Sequence, residues 1–268
     1  MATRKKNIRI FGYGIITMFI LIFSFYYIKR SSFSKELPFF SLPDDHDTTL
    51  TIGIIGDSWV EDKGFDTIIH KKLLNENINS KIISSYQGSA KSKSIYQNLY
   101  EDRSEPYSSK SIIESRPDYC IVVGGVNDAS GQIGARFYSY HMSQITKTLL
   151  HYRMKPVIVS LPEFGIEEIP EDMNLFEGIL WRLRNKISAF LNNKGEIDNI
   201  KTYRKALVRE LESENLKDGI IIIDFDDVCK DYQKCPDLYS DRGHLSECGK
   251  EKLCQIITDK LTEAINGN

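Results

Sequence analysis

The chain has 268 residues, of which 41% are hydrophobic and 27% charged, with 17 glycines and 8 prolines. This composition excludes a disordered, collagen-like or low-complexity chain and fits one domain of ordinary size with an appendage. The formal charge is −2, yet six of the 35 basic residues and no acid fall within residues 1–30; the remainder sets 29 basic against 37 acidic residues and leaves no electrostatic footprint for nucleic acid.

The first predicted element is a run of 19 residues without a charge, 10–28 (IFGYGIITMFILIFSFYYI). At about 1.5 Å per residue it is just long enough to cross a hydrocarbon core of roughly 30 Å. Tyr26 and Tyr27 stand at its far end, where amphipathic rings favour the interface. Arg4, Lys5, Lys6 and Arg9 precede it and Lys29 and Arg30 follow, a bias that puts the N-terminus in the cytoplasm. No small-x-small cleavage site follows the run, and no cysteine follows to accept a lipid, so it reads as an uncleaved anchor rather than a signal peptide. Residues 1–30 are then the basic N-terminus and transmembrane helix. Residues 31–48, with Pro38 and Pro43, read as a tether, and 49–268 as an outward-facing domain, periplasmic or on the cell surface.

Beyond residue 49 short β-branched runs alternate with stretches of helical period. The runs are 50–55 (LTIGII), 81–86 (KIISSY), 119–123 (YCIVV), 157–161 (VIVSL) and 220–224 (IIIID). They are apolar almost throughout, as strands covered on both faces must be. Helices are expected over 67–77, 132–152, 175–191, 203–214 and 248–265. Strand–helix–strand order predicts an α/β fold with a parallel sheet, whose ligands sit beyond the carboxyl ends of the strands.

Those strand ends carry the informative residues. Gly56-Asp57-Ser58-Trp59 follows the first run and exposes a serine hydroxyl at a strand-to-helix turn, with Gly56 letting the backbone turn. Gln87-Gly88-Ser89 follows the second, where Gly88 either makes a turn or offers a bare amide to a ligand. Gly124-Gly125-Val126-Asn127-Asp128 follows the third; Asn127 either caps a helix or points its amide into the cleft. Asp241-Arg242-Gly243-His244-Leu245-Ser246 precedes the last helix, with an aspartate three residues before a histidine it can orient. Singly, each is more economically a turn, a cap or a solvated loop. Four of them in this order are not.

In these four blocks the chain resembles the SGNH or GDSL hydrolases: Gly56-Asp57-Ser58, Gly88, Gly125-x-Asn127-Asp128 and Asp241-x-x-His244-Leu245. The resemblance spans residues 50–265. It implies a flavodoxin-like three-layer α/β/α sandwich with a five-stranded parallel sheet, and a serine esterase. Ser58 is then the nucleophile, His244 the base that takes its proton, and Asp241 the group that fixes the imidazole. The Ser58 and Gly88 amides and the Asn127 side chain form the oxyanion hole. No metal or organic cofactor is required. Trp59 and the long polar stretch 89–115 depart from the commonest pattern, which bears on substrate rather than chemistry.

Other candidates are weaker. Cys120 reads as a core residue. Cys229 and Cys235 flank a short loop that a disulfide would close if the domain faces outward, and the cysteines lack the close Cys-x-x-Cys spacing of a zinc site. His46, His70, His141 and His151 read as surface residues on the tether or on helices, and Asp224, Asp226 and Asp227 as a solvated turn rather than a metal site. For an outward-facing, membrane-tethered member of such a family the natural substrate is an acetylated envelope or capsular glycan. The loops after the strands are small or polar, which favours acetyl over long acyl chains, unless Trp59, Phe65 and Phe164 build an apolar groove. The alternatives are an O-acyltransferase using the same residues, a lipid esterase or thioesterase, and a non-catalytic glycan-binding subunit, which the intact Ser58, Asp241 and His244 argue against.

Overall fold

A computed structural model describes residues 32–42, 49–61, 64–166 and 173–267, together with 17, 18 and 21. In chain order the elements are β1 (Thr51–Gly56), α1 (Ser58–Glu61), α2 (Phe65–Asn75), β2 (Lys81–Tyr86), α3 (Ser92–Asn98), α4 (Lys110–Ser115), β3 (Tyr119–Val123), α5 (Val126–Ser130), α6 (Ala135–His151), β4 (Lys155–Val159), α7 (Leu175–Asn192), α8 (Ile200–Ser213), β5 (Ile221–Ile223) and α9 (Glu247–Asn266). The five strands form one parallel sheet in the order β2-β1-β3-β4-β5. The helices pack in two groups, α2 with α9 and α6 with α3 and α8, as the outer layers of an α/β/α sandwich require.

The central strands follow from their sequence. TIGIIG and YCIVV are buried at every residue, and in β4 only Lys155 is not, so both faces are covered. The expectation of covered strands fails at β2: Lys81, Ser84 and Tyr86 are exposed, because β2 is an edge strand and its hydroxyls and lysine face solvent. The other edge strand, β5, is only partly buried and three residues long. Gly56 closes β1 for a reason of packing: a Cβ there would stand 2.3 Å from the Val123 carbonyl oxygen of the neighbouring strand. The polar stretch 89–115 holds two helices, α3 and α4, that no apolar periodicity announces.

Residues 32–42, expected as part of a tether, are fastened to the domain. The Ser34 amide donates to His141 Nε2 (3.1 Å), the Leu37 amide to the Tyr96 hydroxyl (2.8 Å), and the Phe40 amide to the Tyr152 hydroxyl (2.8 Å). This strap covers the outer side of α6, where twelve of 17 residues are buried. His141 is therefore not a surface residue. It is fully buried, its Nδ1 donates to the Phe137 carbonyl (2.8 Å), and burial first of all pushes its pKa down to about 4, which keeps the ring neutral. Among the described residues no helix is long and apolar enough to cross a membrane. The expected anchor lies outside the described residues except for Thr17, Met18 and Leu21, which are helical.

Candidate active site

The Ser58 end of the site is built where β1 stops. Asp57 turns the chain: its amide donates to the Val123 carbonyl (3.2 Å), and its carboxylate accepts from the Trp59 amide (3.0 Å) and from Asn127 Nδ2 (3.3 Å). Ser58, the first residue of α1, is thus held between two buried neighbours, Asp57 and Trp59. Gln87, after β2, donates its amide to the Gly56 carbonyl (3.1 Å), which brings Gly88 to the same corner. Gly88 is needed for close approach: a Cβ there would lie 2.5 Å from a Glu61 carboxylate oxygen. Among the described residues neither the Ser58 nor the Gly88 amide donates to a backbone acceptor. Asn127 differs. It lies inside α5 rather than capping it, and its amide already donates to the Ala90 carbonyl (3.0 Å) and to Asp57.

Behind Asn127, the fully buried Asp128 carboxylate accepts from the Ser92 amide (2.9 Å) and hydroxyl (2.7 Å). These bonds tie α3, α5 and the β1 turn into one unit. Burial first of all pushes the Asp57 carboxyl up to about 7; the Trp59 amide opposes this and the nearby Asp128 charge adds to it. Burial likewise pushes Asp128 up to about 6 against the two bonds from Ser92.

The His244 end stands on a loop. Tyr239 bridges Leu245, and the Ser240 amide donates to the His244 carbonyl (3.0 Å), so residues 239–245 form a tight hairpin. Ser246 then caps α9 by accepting from the Gly249 amide (3.2 Å). The hairpin leans on the loop after β4, with Gly165 N–H to the Arg242 carbonyl (2.7 Å) and the Tyr239 hydroxyl to the Glu163 carbonyl (2.7 Å). His244 Nδ1 donates to the Asp241 carboxylate (2.9 and 3.1 Å), which also accepts from the Gly243 amide (2.7 Å). Partial burial works to raise the Asp241 pKa, but these bonds from Gly243 and His244 outweigh it and hold the carboxyl below its ordinary value. With Nδ1 donating, the neutral ring presents Nε2 as an acceptor, 3.5 Å from Ser58 Oγ. That is the outer limit of a hydrogen bond, as is common before substrate tightens such a contact. Trp59 Nε1 donates to the Gly243 carbonyl (2.8 Å) and links the two ends. Ser58, Trp59, Asp241, His244 and Lys250 line a cleft of ≈ 410 Å³.

The structure thus brings Ser58, His244 and Asp241 together, sets Gly88 beside them, and holds Asn127 in the same corner with its amide engaged. Trp59, Phe65 and Phe164 are core residues, and of the three only Trp59 also lines the Ser58 cleft. Cys120 is buried in β3, and Cys229 and Cys235 are thiols in mutual contact. Asp224 caps the turn Phe225–Asp227, and Asp226 pairs with Arg204. His151 is exposed and stacks on Phe39, His70 is half-buried, and His46 lies outside the described residues. Sequence reasoning missed Asp57, Asp128 and Glu61 as parts of the site. The first two stand inside the quoted motifs, so the signal was their position beside Ser58 and Asn127.

No protein-family model and no curated protein matches the sequence. Solved structures do match. A lipase/acylhydrolase from Enterococcus faecalis superposes with a TM-score of 0.56 at 15% identity, over 80% of this chain and 96% of that one. An acetyl xylan esterase gives 0.53 at 17% identity over 80% and 99%, and a GDSL-like lipase from Bacteroides thetaiotaomicron 0.50 at 12% over 81% and 88%. At these identities the likeness is one of fold, shared with GDSL-like lipases and acylhydrolases over about four fifths of the chain.

Proposed function

We propose that the chain is a serine-dependent carboxylic ester hydrolase that removes acetyl groups from a cell-envelope or capsular glycan through an acyl-enzyme on Ser58. The observation that carries this reading is the line Asp241–His244–Ser58 at the carboxyl edge of the sheet, on a fold that esterases and acylhydrolases share. His244 Nε2 takes the Ser58 hydroxyl proton as Oγ bonds the ester carbon. The carbonyl oxygen becomes an oxyanion facing the Ser58 and Gly88 amides, and the Asn127 amide joins them by releasing Ala90. The intermediate collapses, the C–O bond to the sugar breaks, and His244 returns the proton to the leaving alkoxide. Water, deprotonated by the same ring, then releases acetate from Ser58. Asp241, held ionised, keeps Nδ1 protonated throughout.

The preference for acetyl is supported by the small or polar residues of the loops after β2 and β3, which offer no continuous apolar channel to a longer chain. Each buried CH₂ would contribute about 0.8 kcal/mol only where such a channel existed. The glycan and the outward-facing location rest on the run 10–28 read as an anchor. A p-nitrophenyl ester series from acetyl to decanoyl, run on the full chain with and without a sugar acceptor, tests the reading. The expected result is kcat/KM flat or falling with chain length, and free acetate as the product. A steady rise with length overturns the acetyl reading in favour of a lipid ester, and acetylated sugar formed at the expense of acetate makes the reaction a transfer.

A further inference from the structure

Helix α7 reverses the pattern of a helix in a water-exposed domain. The residues it buries are Gly178, Asn185, Ser188 and Ala189, small or polar. Its large apolar side chains Phe176, Ile179, Leu180, Leu183, Ile187 and Phe190 are exposed, Phe176 by 69% and Phe190 by 74%. They recur at steps of three, four, seven, eleven and fourteen residues, which places them on one stripe of the helix. At 3.6 residues per turn the exposed Arg184 flanks this stripe on one side and Arg182 and Lys186 on the other. The only acid of α7, Glu177, sits in its first turn, where it complements the helix dipole. A continuous apolar stripe edged by cations is the signature of a helix lying in the headgroup region of a bilayer.

A second, independent observation says where the bilayer is. α7 rests on the loop that follows α5: Ser188 Oγ donates to the Gly131 carbonyl (2.7 Å), and a Cβ at Gly134 would lie 3.4 Å from the Asn193 side chain at the end of α7. One turn further on, Phe33 of the N-terminal strap packs on Phe137 and Tyr140, with Arg136 over its ring. Ser32 is held there too, its carbonyl accepting from Lys93 Nζ (2.8 Å). Only residues 29–31 separate Ser32 from the end of the uncharged run 10–28, a reach of at most about 14 Å. Ser32, the described residue next to that run, thus stands by the first turns of α6, beside the seat of α7 and on the side of the strands' carboxyl ends.

We infer that the apolar face of α7 docks on the outer leaflet of the membrane in which residues 10–28 are anchored, with Arg182, Arg184 and Lys186 on anionic headgroups. Docking turns the carboxyl edge of the sheet, and with it the Ser58 cleft, toward the membrane surface, where the enzyme meets esters displayed close to the bilayer. This inference rests on the anchor reading.

The test uses the full chain carrying Trp181→Phe and Leu183→Trp, reconstituted in phosphatidylcholine–phosphatidylglycerol vesicles with and without brominated acyl chains; the buried Trp59 is the internal reference. Flotation is scored first. The expected result is flotation, with the tryptophan introduced on α7 quenched about twofold by the brominated lipid and shielded from aqueous acrylamide. Combining Arg182→Glu, Arg184→Glu and Lys186→Glu should abolish that quenching in anionic vesicles without preventing flotation. A chain that floats but whose new tryptophan answers to acrylamide and not to bromine overturns the docking while leaving the anchor intact. Shielding from both quenchers overturns it in favour of a protein partner or a second copy. A chain that does not float overturns both. Leu180→Trp repeats the measurement should Leu183→Trp disturb the fold.

Discussion

The two ends of the site are held in opposite ways. Ser58 stands on the core: Asp57 and Asp128 behind it are fully buried, and Ser92, Asn127 and the Val123 carbonyl lace them to three elements. Its partner stands in solvent, the His244 and Asp241 side chains being 53% and 60% exposed on a hairpin that follows no strand. Position at the Ser58 end is thus a property of the fold, whereas at the His244 end it is a property of one loop. Substitutions behind Ser58 should be felt in stability, and those on the hairpin in rate alone.

The sharpest break in that symmetry of function is expected on the exposed side. His244→Ala should lower kcat on p-nitrophenyl acetate as deeply as Ser58→Ala, on the order of 10⁴ or more, with an unchanged melting temperature for both. The double variant should be little worse than either, because the two act as a unit; multiplying losses would show that they do not. Next in size is Asn127→Ala, expected to cost on the order of 10²–10³ in kcat through the oxyanion. Unlike the hairpin variant it should also lower the urea midpoint, since the bonds to Ala90 and Asp57 go with it.

A smaller effect separates stability from catalysis behind the nucleophile. Ser92→Ala removes one donor from the buried Asp128 carboxylate and should cost about 1–3 kcal/mol in urea unfolding, with kcat per folded molecule nearly unchanged. A large loss of kcat at full stability would instead give Ser92 a part in the chemistry. The smallest effect lies in pH. Asp57 has an ordinary value of 3.8 and a folded value of about 7, so between these the folded chain holds a proton that the unfolded chain has released. Its contribution is therefore greatest below pH 4 and is lost as pH rises toward 7. Asp57→Asn should flatten the fall of stability across that window, read from urea midpoints at intervals of pH. An unchanged slope would assign the dependence to other groups.

Much of the sheet is legible in the sequence, because β1, β3 and β4 are covered on both faces and their apolar runs say so. The runs 81–86 and 119–123 coincide with β2 and β3 to the residue. The exposure of β2 is not legible, since edge position is a matter of strand order. The same holds for α3 and α4: Ser-Lys-Ser and Lys-Ser-Ile have no apolar period, and their helices are fixed by partners elsewhere in the fold, Asp128 for α3 and β2 for α4. His141 is buried for a long-range reason, the strap of residues 32–42 that closes over α6. The four motifs were visible because each sits at a strand end or before a helix. The buried carboxyls beside Ser58 and Asn127 were in plain view, but their burial and mutual field follow only from the packing of β1 against β3.

The most direct measurement is to trap the acyl-enzyme chemistry on its residue. The full chain is treated with an active-site fluorophosphonate, digested and mapped by mass spectrometry. The expected result is one adduct, on the peptide containing Ser58, absent from Ser58→Ala and strongly reduced in His244→Ala. An adduct on another serine, or labelling of Ser58 that does not depend on His244, would contradict a nucleophile activated across the 3.5 Å between Ser58 Oγ and His244 Nε2.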